Sequence, residues 1–341
     1  MSNNDIKIKF SKILDIINSE EYSDCRKSIV IMTTTQELLE EIKIFPTRQV
    51  DDIICIPIGI KKVSTAKHIV KYFDGKVEIF FVDVENKLQN CQNILQKIGP
   101  LVKNTKIFQI KSNDLTVEYT FALLSNNFLP ISKEKILIIG AGNIGAKLAL
   151  KLIECGANVL IKNSTKTSTK KVANAINILK PKECLNFVIP VFEKIPKINC
   201  VISFTNGPIG INSDMINKVK KNGLVIDGGT GTISQDAITL AQKKGLKIMR
   251  IDIRKGFEMH AKLIKDTEIF LNEIFGYKKF KNFNLVAGGY LGEIGDVVVD
   301  EIKNPKKILG ISDGKGKFLD DDMEYTENLK IVKKLIHNNQ L

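Results

Sequence analysis

Residues 138–171 read IIGAGNIGAKLALKLIECGANVLIKNSTKTSTKK: an apolar strand-like run, three glycines, and a helical pattern that ends at Gly156. Gly140, Gly142 and Gly145 fit G-x-G-x-x-G directly after the apolar run KILIIG (135–140) and directly before the helix. In that strand–turn–helix setting the three glycines provide a tight turn, room for a pyrophosphate to approach the backbone, and close contact of helix with sheet. The helix start, with Asn143 and Ile144, then offers free N–H groups to phosphate. The pattern predicts a dinucleotide-binding βαβ unit.

The next strand, NVLIK (158–162), decides between coenzymes. An Asp or Glu at its end would hold the ribose hydroxyls of NAD. Instead the chain continues KNSTKTSTKK, with no acid between Gly156 and Lys182. Asn163, Ser164 and Thr165 supply hydrogen-bonding groups, and Lys162, Lys166 and Lys170 supply charge where a 2′-phosphate would sit. The expectation is NADP rather than NAD. Two later loops complete a crevice at the carboxyl ends of parallel strands, where flat rings lie close to glycine backbone. They are FTNGPIG (204–210), with Thr205 and Gly207, and DGGTG (227–231), with Asp227, Gly228 and Gly229.

Working outward, short β-rich runs alternate with helical segments from residue 28 to about 290, the signature of parallel sheets with crossover helices. The runs are 28–33, 52–58, 77–83, 106–110, 135–140, 158–162, 186–190, 200–204, 223–227, 246–252 and 284–287. They are too many for one open sheet, so the expected fold class is two-domain α/β. A substrate domain over 1–130 precedes a doubly wound nucleotide domain over 131–287, joined by a helix near 115–125. The tail, 288–341, carries a DGKG turn and a final helix near 327–337, and is expected to return to the first domain.

Composition narrows the classes. The chain has 341 residues, 43% apolar and 26% charged, as in ordinary globular proteins. No apolar run approaches the roughly 20 residues of a membrane span, and MSNNDIKIKF lacks a signal-peptide pattern, so a cytoplasmic location is expected. Six scattered cysteines form no CxxC pair, and three separated histidines form no metal cluster; His260 is the best placed of the three. The net charge of +13 is almost all lysine, with arginine only at 26, 48, 250 and 254. Nucleic-acid readers lean on arginine forks and interleaved aromatics, so the charge argues against a nucleic-acid partner.

The arrangement resembles the shikimate dehydrogenase and methylenetetrahydrofolate dehydrogenase group, in which a substrate domain precedes a Rossmann-type domain. IIGAGNIG followed by VLIKNSTKTSTKKVANAI is similar to the nucleotide loop of the shikimate enzymes, and VISFTNGPIGI resembles their nicotinamide-side loop. The resemblance implies a dehydrogenase, often a homodimer, with a catalytic Lys–Asp pair. KSNDLTVEYTFALL would carry the aspartate as Asp114, and CIPIGIKK the lysine as Lys61 or Lys62. Those lysines stand four and five residues after Pro57 rather than two, and no Ser-x-Ser substrate signature occurs near the amino terminus. The domain order is also similar to that of D-2-hydroxyacid dehydrogenases, but Thr230 stands where their arginine would be.

These residues suit hydride transfer to a small anionic carbonyl, imine or folate-like molecule, with a lysine polarising the oxygen and an aspartate holding the lysine. RIDIR, read as a strand, would put Arg250, Asp252 and Arg254 on one face, either a fork for a substrate carboxylate or phosphate or a buried ion-pair network. The alternative is a non-catalytic sensor that binds the dinucleotide.

Overall fold

A computed structural model describes residues 3–33, 40–85, 87–88, 93–205, 210–280, 282–320 and 323–338. It divides into two compact units, Met1–Met259 and His260–Leu341. The first unit contains two sheets, the second contains one.

The first sheet is built from β1 (Arg26–Thr33), β2 (Ile42–Ile44), β3 (Arg48–Val50), β4 (Ile53–Ile60), β5 (Ile79–Asp83) and β6 (Lys106–Ile110). Its order is β2-β4-β1-β5-β6, with β3 also on β4; β4, β1, β5 and β6 run parallel. Their near-continuous apolar runs fit burial on both faces. Helices α1 (Asn3–Ile17), α2 (Val63–Phe73), α3 (Ile94–Ile98) and α4 (Ser112–Asn127) accompany it. Helix α1 falls in the polar amino terminus, where its spaced Phe10, Ile13 and Ile17 are buried in the core and Ile6, Leu14 and Ile16 pack against it. The three-residue β2 and β3 are too short to produce an alternation signal, which is why the sequence reading lacks them.

The second sheet comprises β7 (Lys135–Ile139), β8 (Asn158–Lys162), β9 (Ile189–Pro190), β10 (Ile198–Ser203), β11 (Val219–Asp227) and β12 (Lys247–Arg250). All pairs are parallel, in the order β12-β11-β10-β7-β8-β9. Counted along the chain that is 6-5-4-1-2-3, the Rossmann order, whose reversal lies between β7 and β10. Helices α5 (Asn143–Glu154), α6 (Lys166–Leu179), α7 (Ser213–Ile216) and α8 (Gln235–Lys243) fill the connections. Helix α9 (Ile253–Ile269) follows β12.

Two expectations need correction. Strand β12 ends at Arg250 and α9 begins at Ile253, so Arg250, Asp252 and Arg254 share no strand face. The reason is local: Asp252 Oδ1 accepts the Arg254 backbone N–H at 3.1 Å and starts a helix. Asn284–Ala287, expected to close the second sheet, belongs to a third. That sheet has β13 (Gly276–Lys279), β14 (Asn284–Ala287), β15 (Ile294–Val299) and β16 (Ile308–Asp313), in the order β13-β14-β15-β16. It has its own core of Leu285, Val297, Val299 and Ile311, with Val332 of α10 (Thr326–His337).

Candidate functional site

The glycine turn joins β7 to α5. Gly140 sits at φ +82°, a conformation glycine adopts without penalty, and an added Cβ would stand 3.0 Å from the backbone of Phe204 and Thr205. A Cβ on Gly145 would stand 2.8 Å from the Gly140 carbonyl and 3.0 Å from Ile138 Cγ2, so this glycine lets α5 lie on β7. At Gly142 a Cβ would meet nothing within 4 Å, and no side chain caps the helix there. Asn143 and Ile144 begin α5 behind that opening. The geometry fits a pyrophosphate: an uncapped helix start beside open space, at the reversal of strand order.

The bend after β8 is tied to this turn. Asn163 Oδ1 accepts the Ala141 N–H at 2.7 Å, and Asn163 Nδ2 donates to Ser168 Oγ at 3.2 Å. Thr165 caps α6 by accepting the Ser168 N–H at 3.1 Å, and Ser164 is exposed on the bend. Lys166 is exposed and pairs with the equally exposed Glu193 at 2.8 Å. Such a surface pair contributes little and yields readily to a stronger anion. Asn163 thus braces the two loops against each other.

On the other side of the reversal, Gly228 N donates to Ser203 O at 2.8 Å, joining the loops after β10 and β11. Thr205 Oγ1 lies 3.1 Å from buried Ser203 Oγ. Gly207 lies outside the described residues. Asp227 turns onto its own loop: it accepts from Gly231 N at 2.7 Å, Thr232 Oγ1 at 2.9 Å and Gly229 N at 3.2 Å. Burial alone would raise its pKa, but the donors from Gly231, Thr232 and Gly229 outweigh it and hold the carboxyl below its ordinary range. Asp227 shapes the crevice with a carboxylate already filled by its neighbours.

The expected Lys–Asp pair takes different members. Lys62 pairs with Glu41 at 2.7 Å, and Lys61 donates its backbone N–H to the Glu41 carbonyl. Asp114 pairs instead with Lys111 and with Lys147 of α5. Burial of Asp114 opposes its ionisation, and the hydrogen bonds from Lys111 and Lys147 reverse that and lower its pKa. The cause is helix packing: Lys147 meets Asp114 and Lys151 meets Glu118, the same spacing twice, so α4 and α5 lie parallel with their amino termini at one end. Arg250 pairs with Asp227 at 3.4 Å, and Arg254 with Asp252, so both guanidinium groups have local acidic partners. His260 Nε2 is buried without a partner among the described residues.

A second polar cluster, absent from the sequence reading, stands at the carboxyl ends of β1 and β5. Asp83 Oδ2 accepts from Thr33 Oγ1 at 3.0 Å, Ser112 Oγ at 2.9 Å and Lys87 Nζ at 3.0 Å. Lys87 also pairs with Glu85 at 2.8 Å and reaches Ser112. The side chains of Asp83, Glu85 and Lys87 are only 0%, 8% and 11% exposed. Glu85 Oε1 is buried with no partner among the described residues; an unpaired buried acceptor costs on the order of 1–3 kcal/mol. The signal for this cluster was present in VDVENK, acids and a lysine just past an apolar parallel strand.

Among the described residues no helix is long and apolar enough to cross a membrane, and no group of three or more His, Cys, Asp or Glu could hold a metal ion. Residues 135–256 match the model of the NAD binding domain of 6-phosphogluconate dehydrogenase. No curated protein matches the sequence. Among solved structures, the chain is similar to a dipicolinate synthase from Bacillus halodurans, at 14% identity and a TM-score of 0.36, covering 55% of this chain and 65% of that one. It is similar to L-tryptophan dehydrogenase from Nostoc punctiforme, at 11% identity and a TM-score of 0.41, covering 75% and 77%. A shikimate dehydrogenase solved with NADP+ aligns at 11% identity and a TM-score of 0.41, covering 66% and 84%. With the glycine turn, the strand order and the matched model all falling on the same stretch, residues 135–256 form a Rossmann-type NAD(P)-binding domain.

Proposed function

We propose that the protein is an NADP-dependent oxidoreductase that transfers hydride to or from a small substrate held beside the Rossmann sheet. When bound, the coenzyme supplies the hydride chemistry itself. The chain's own part is to seat it and to manage one proton. The open start of α5 at Gly142 would take the pyrophosphate, and the bend at 163–166 would take the adenosine end. Asp114, with Lys111 and Lys147, is the acid–base group best positioned near the start of α5. Its carboxylate would hold a lysine ammonium ready to donate a proton.

The observation that carries the choice of NADP is the bend itself: it is bonded to the glycine turn through Asn163, opens α6 with Lys166, and has no acid between Gly156 and Lys182. A carboxylate fixed on the bend would repel a 2′-phosphate; Glu193, which follows β9 and pairs with Lys166 on the exposed surface, would have to yield to that phosphate for Lys166 to bind it. A K162E/K166E variant should therefore bind NADPH roughly 30–100-fold more weakly, about 2–3 kcal/mol, while NADH changes by less than about threefold. Calorimetric titration of both coenzymes tests it, and an equal loss for the two would remove NADP from this reading.

A second reading, a non-catalytic sensor of the dinucleotide, is favoured by the engagement of Lys62 with Glu41 instead of Asp114. It predicts coenzyme binding unaltered by D114N and no oxidation of bound NADPH by any carbonyl or imine offered.

A further inference from the structure

The cluster of Thr33, Asp83, Glu85, Lys87 and Ser112 is not used by the dinucleotide site, and its place in the fold is informative. Counting only the parallel strands, the first sheet has the chain order second, first, third, fourth for β4, β1, β5 and β6. Its reversal therefore lies between β1 and β5. Thr33 closes β1 and Asp83 closes β5, so the cluster sits at the point where open parallel sheets take ligands.

The same point faces the coenzyme crevice. Ser112 is the first residue of α4 and Asn143 the first of α5. The ion pairs Asp114–Lys147 and Glu118–Lys151 fix these helices side by side and parallel. The cluster and the glycine turn consequently lie at the same end of one helix pair, with axes on the order of 10 Å apart.

The chemistry of the cluster selects the ligand. Two carboxylates and one ammonium leave it formally one negative charge in excess, in a setting at most about one-tenth exposed. All three Lys87 protons have acceptors, on Asp83, Glu85 and Ser112. Glu85 Oε2 already receives Lys87 and, at 2.9 Å, the Asn113 N–H. Glu85 Oε1 receives no hydrogen bond from the described residues. A buried carboxylate oxygen left without a donor among the described residues calls for one charged donor. A hard metal ion would demand six or more oxygens, and Lys87 already stands between the two carboxylates.

We propose that this cluster is the substrate-recognition site, and that it binds a primary ammonium group through Glu85. The assignment rests on the oxidoreductase reading for its meaning as a substrate site, and it makes the substrate an amine-bearing small molecule. Glu85 and Asp83 act here as specificity groups, and Lys87 holds the two carboxylates in place.

The test uses the full chain and three matched probes, n-butylammonium, n-butanol and butyrate, followed by saturation-transfer NMR without coenzyme. The ammonium probe should give at least about fivefold more signal than either counterpart, and E85Q should lower it about fivefold. K87M, which removes the competing cation, should raise it. Equal signals from butylammonium and butyrate on the unmodified protein would overturn the proposal whatever the variants do, as would an E85Q protein that binds the ammonium fully. NADPH titration of the same samples separates the two ideas: coenzyme uptake with no ammonium preference refutes this site alone, and absence of uptake refutes the oxidoreductase reading.

Discussion

G145A lowers both stability and dinucleotide affinity, and G142A lowers affinity alone. The added methyl at 145 would stand 2.8 Å from a backbone carbonyl that cannot rotate away, so α5 must lift from β7. Overpacking of this kind costs about 1–3 kcal/mol. It also moves the helix N–H groups off the phosphates; losing one charge-assisted hydrogen bond of about 1.5–3 kcal/mol weakens binding roughly 10–100-fold. The methyl at 142 meets no protein atom within 4 Å, and the backbone there has a negative φ of −83°. Thermal unfolding of G142A should stay within about 1 kcal/mol of the unmodified protein. Its affinity should nevertheless fall by a similar factor, because the open volume is the one a pyrophosphate would fill. A G142A protein that binds NADPH normally would show that the phosphates go elsewhere.

D227N should loosen the crevice wall and do so in a pH-dependent way. The Asp227 carboxylate is 9% exposed and collects the loop donors of Gly229, Gly231 and Thr232. An amide in its place offers one acceptor and one misplaced donor, leaving at least one loop N–H unpaired. The expected loss is about 2–3 kcal/mol, several degrees in Tm. The folded pKa of Asp227 is depressed, so the group contributes its stability above the unfolded pKa of about 4 and loses it as pH falls through the lower folded value. The gap between unmodified protein and D227N, read from urea unfolding, should be constant at pH 5–8 and close below about pH 4. A gap that persists at pH 2 would mean that the amide fails for reasons of shape and not of charge.

The residues differ in how far local sequence specifies their role. The glycine turn was legible because its pattern is local: strand, turn and helix start lie within about ten residues, although the structure shows Gly140 also making room for Phe204 and Thr205 just past the neighbouring strand. The acid-free bend was legible for the same reason. The Arg250–Arg254 fork failed because a period-two reading took no account of Asp252, which caps a helix at that point. The Lys–Asp pair failed differently. Asp114 was singled out by resemblance, but the structure pairs it with Lys147, 33 positions later on another helix.

By itself, the sequence pointed to a nucleotide sheet beginning at β7, to a glycine turn at its first crossover, and to a following bend with no acid of its own between Gly156 and Lys182. Those are short-range facts, fixed by φ, by the absence of side chains, and by residue charge. Only the tertiary structure decided which distant charges meet. The parallel packing of α4 on α5 brought Lys147 to Asp114, and the adjacency of β1 and β5 gathered Thr33, Asp83, Glu85, Lys87 and Ser112 at one sheet reversal. The contacts of Ser112 with Lys87 and of Thr33 with Asp83 depend on strand order and helix packing, which link residues 25 to 50 positions apart, whereas Lys87 meets Asp83 and Glu85 within one short stretch.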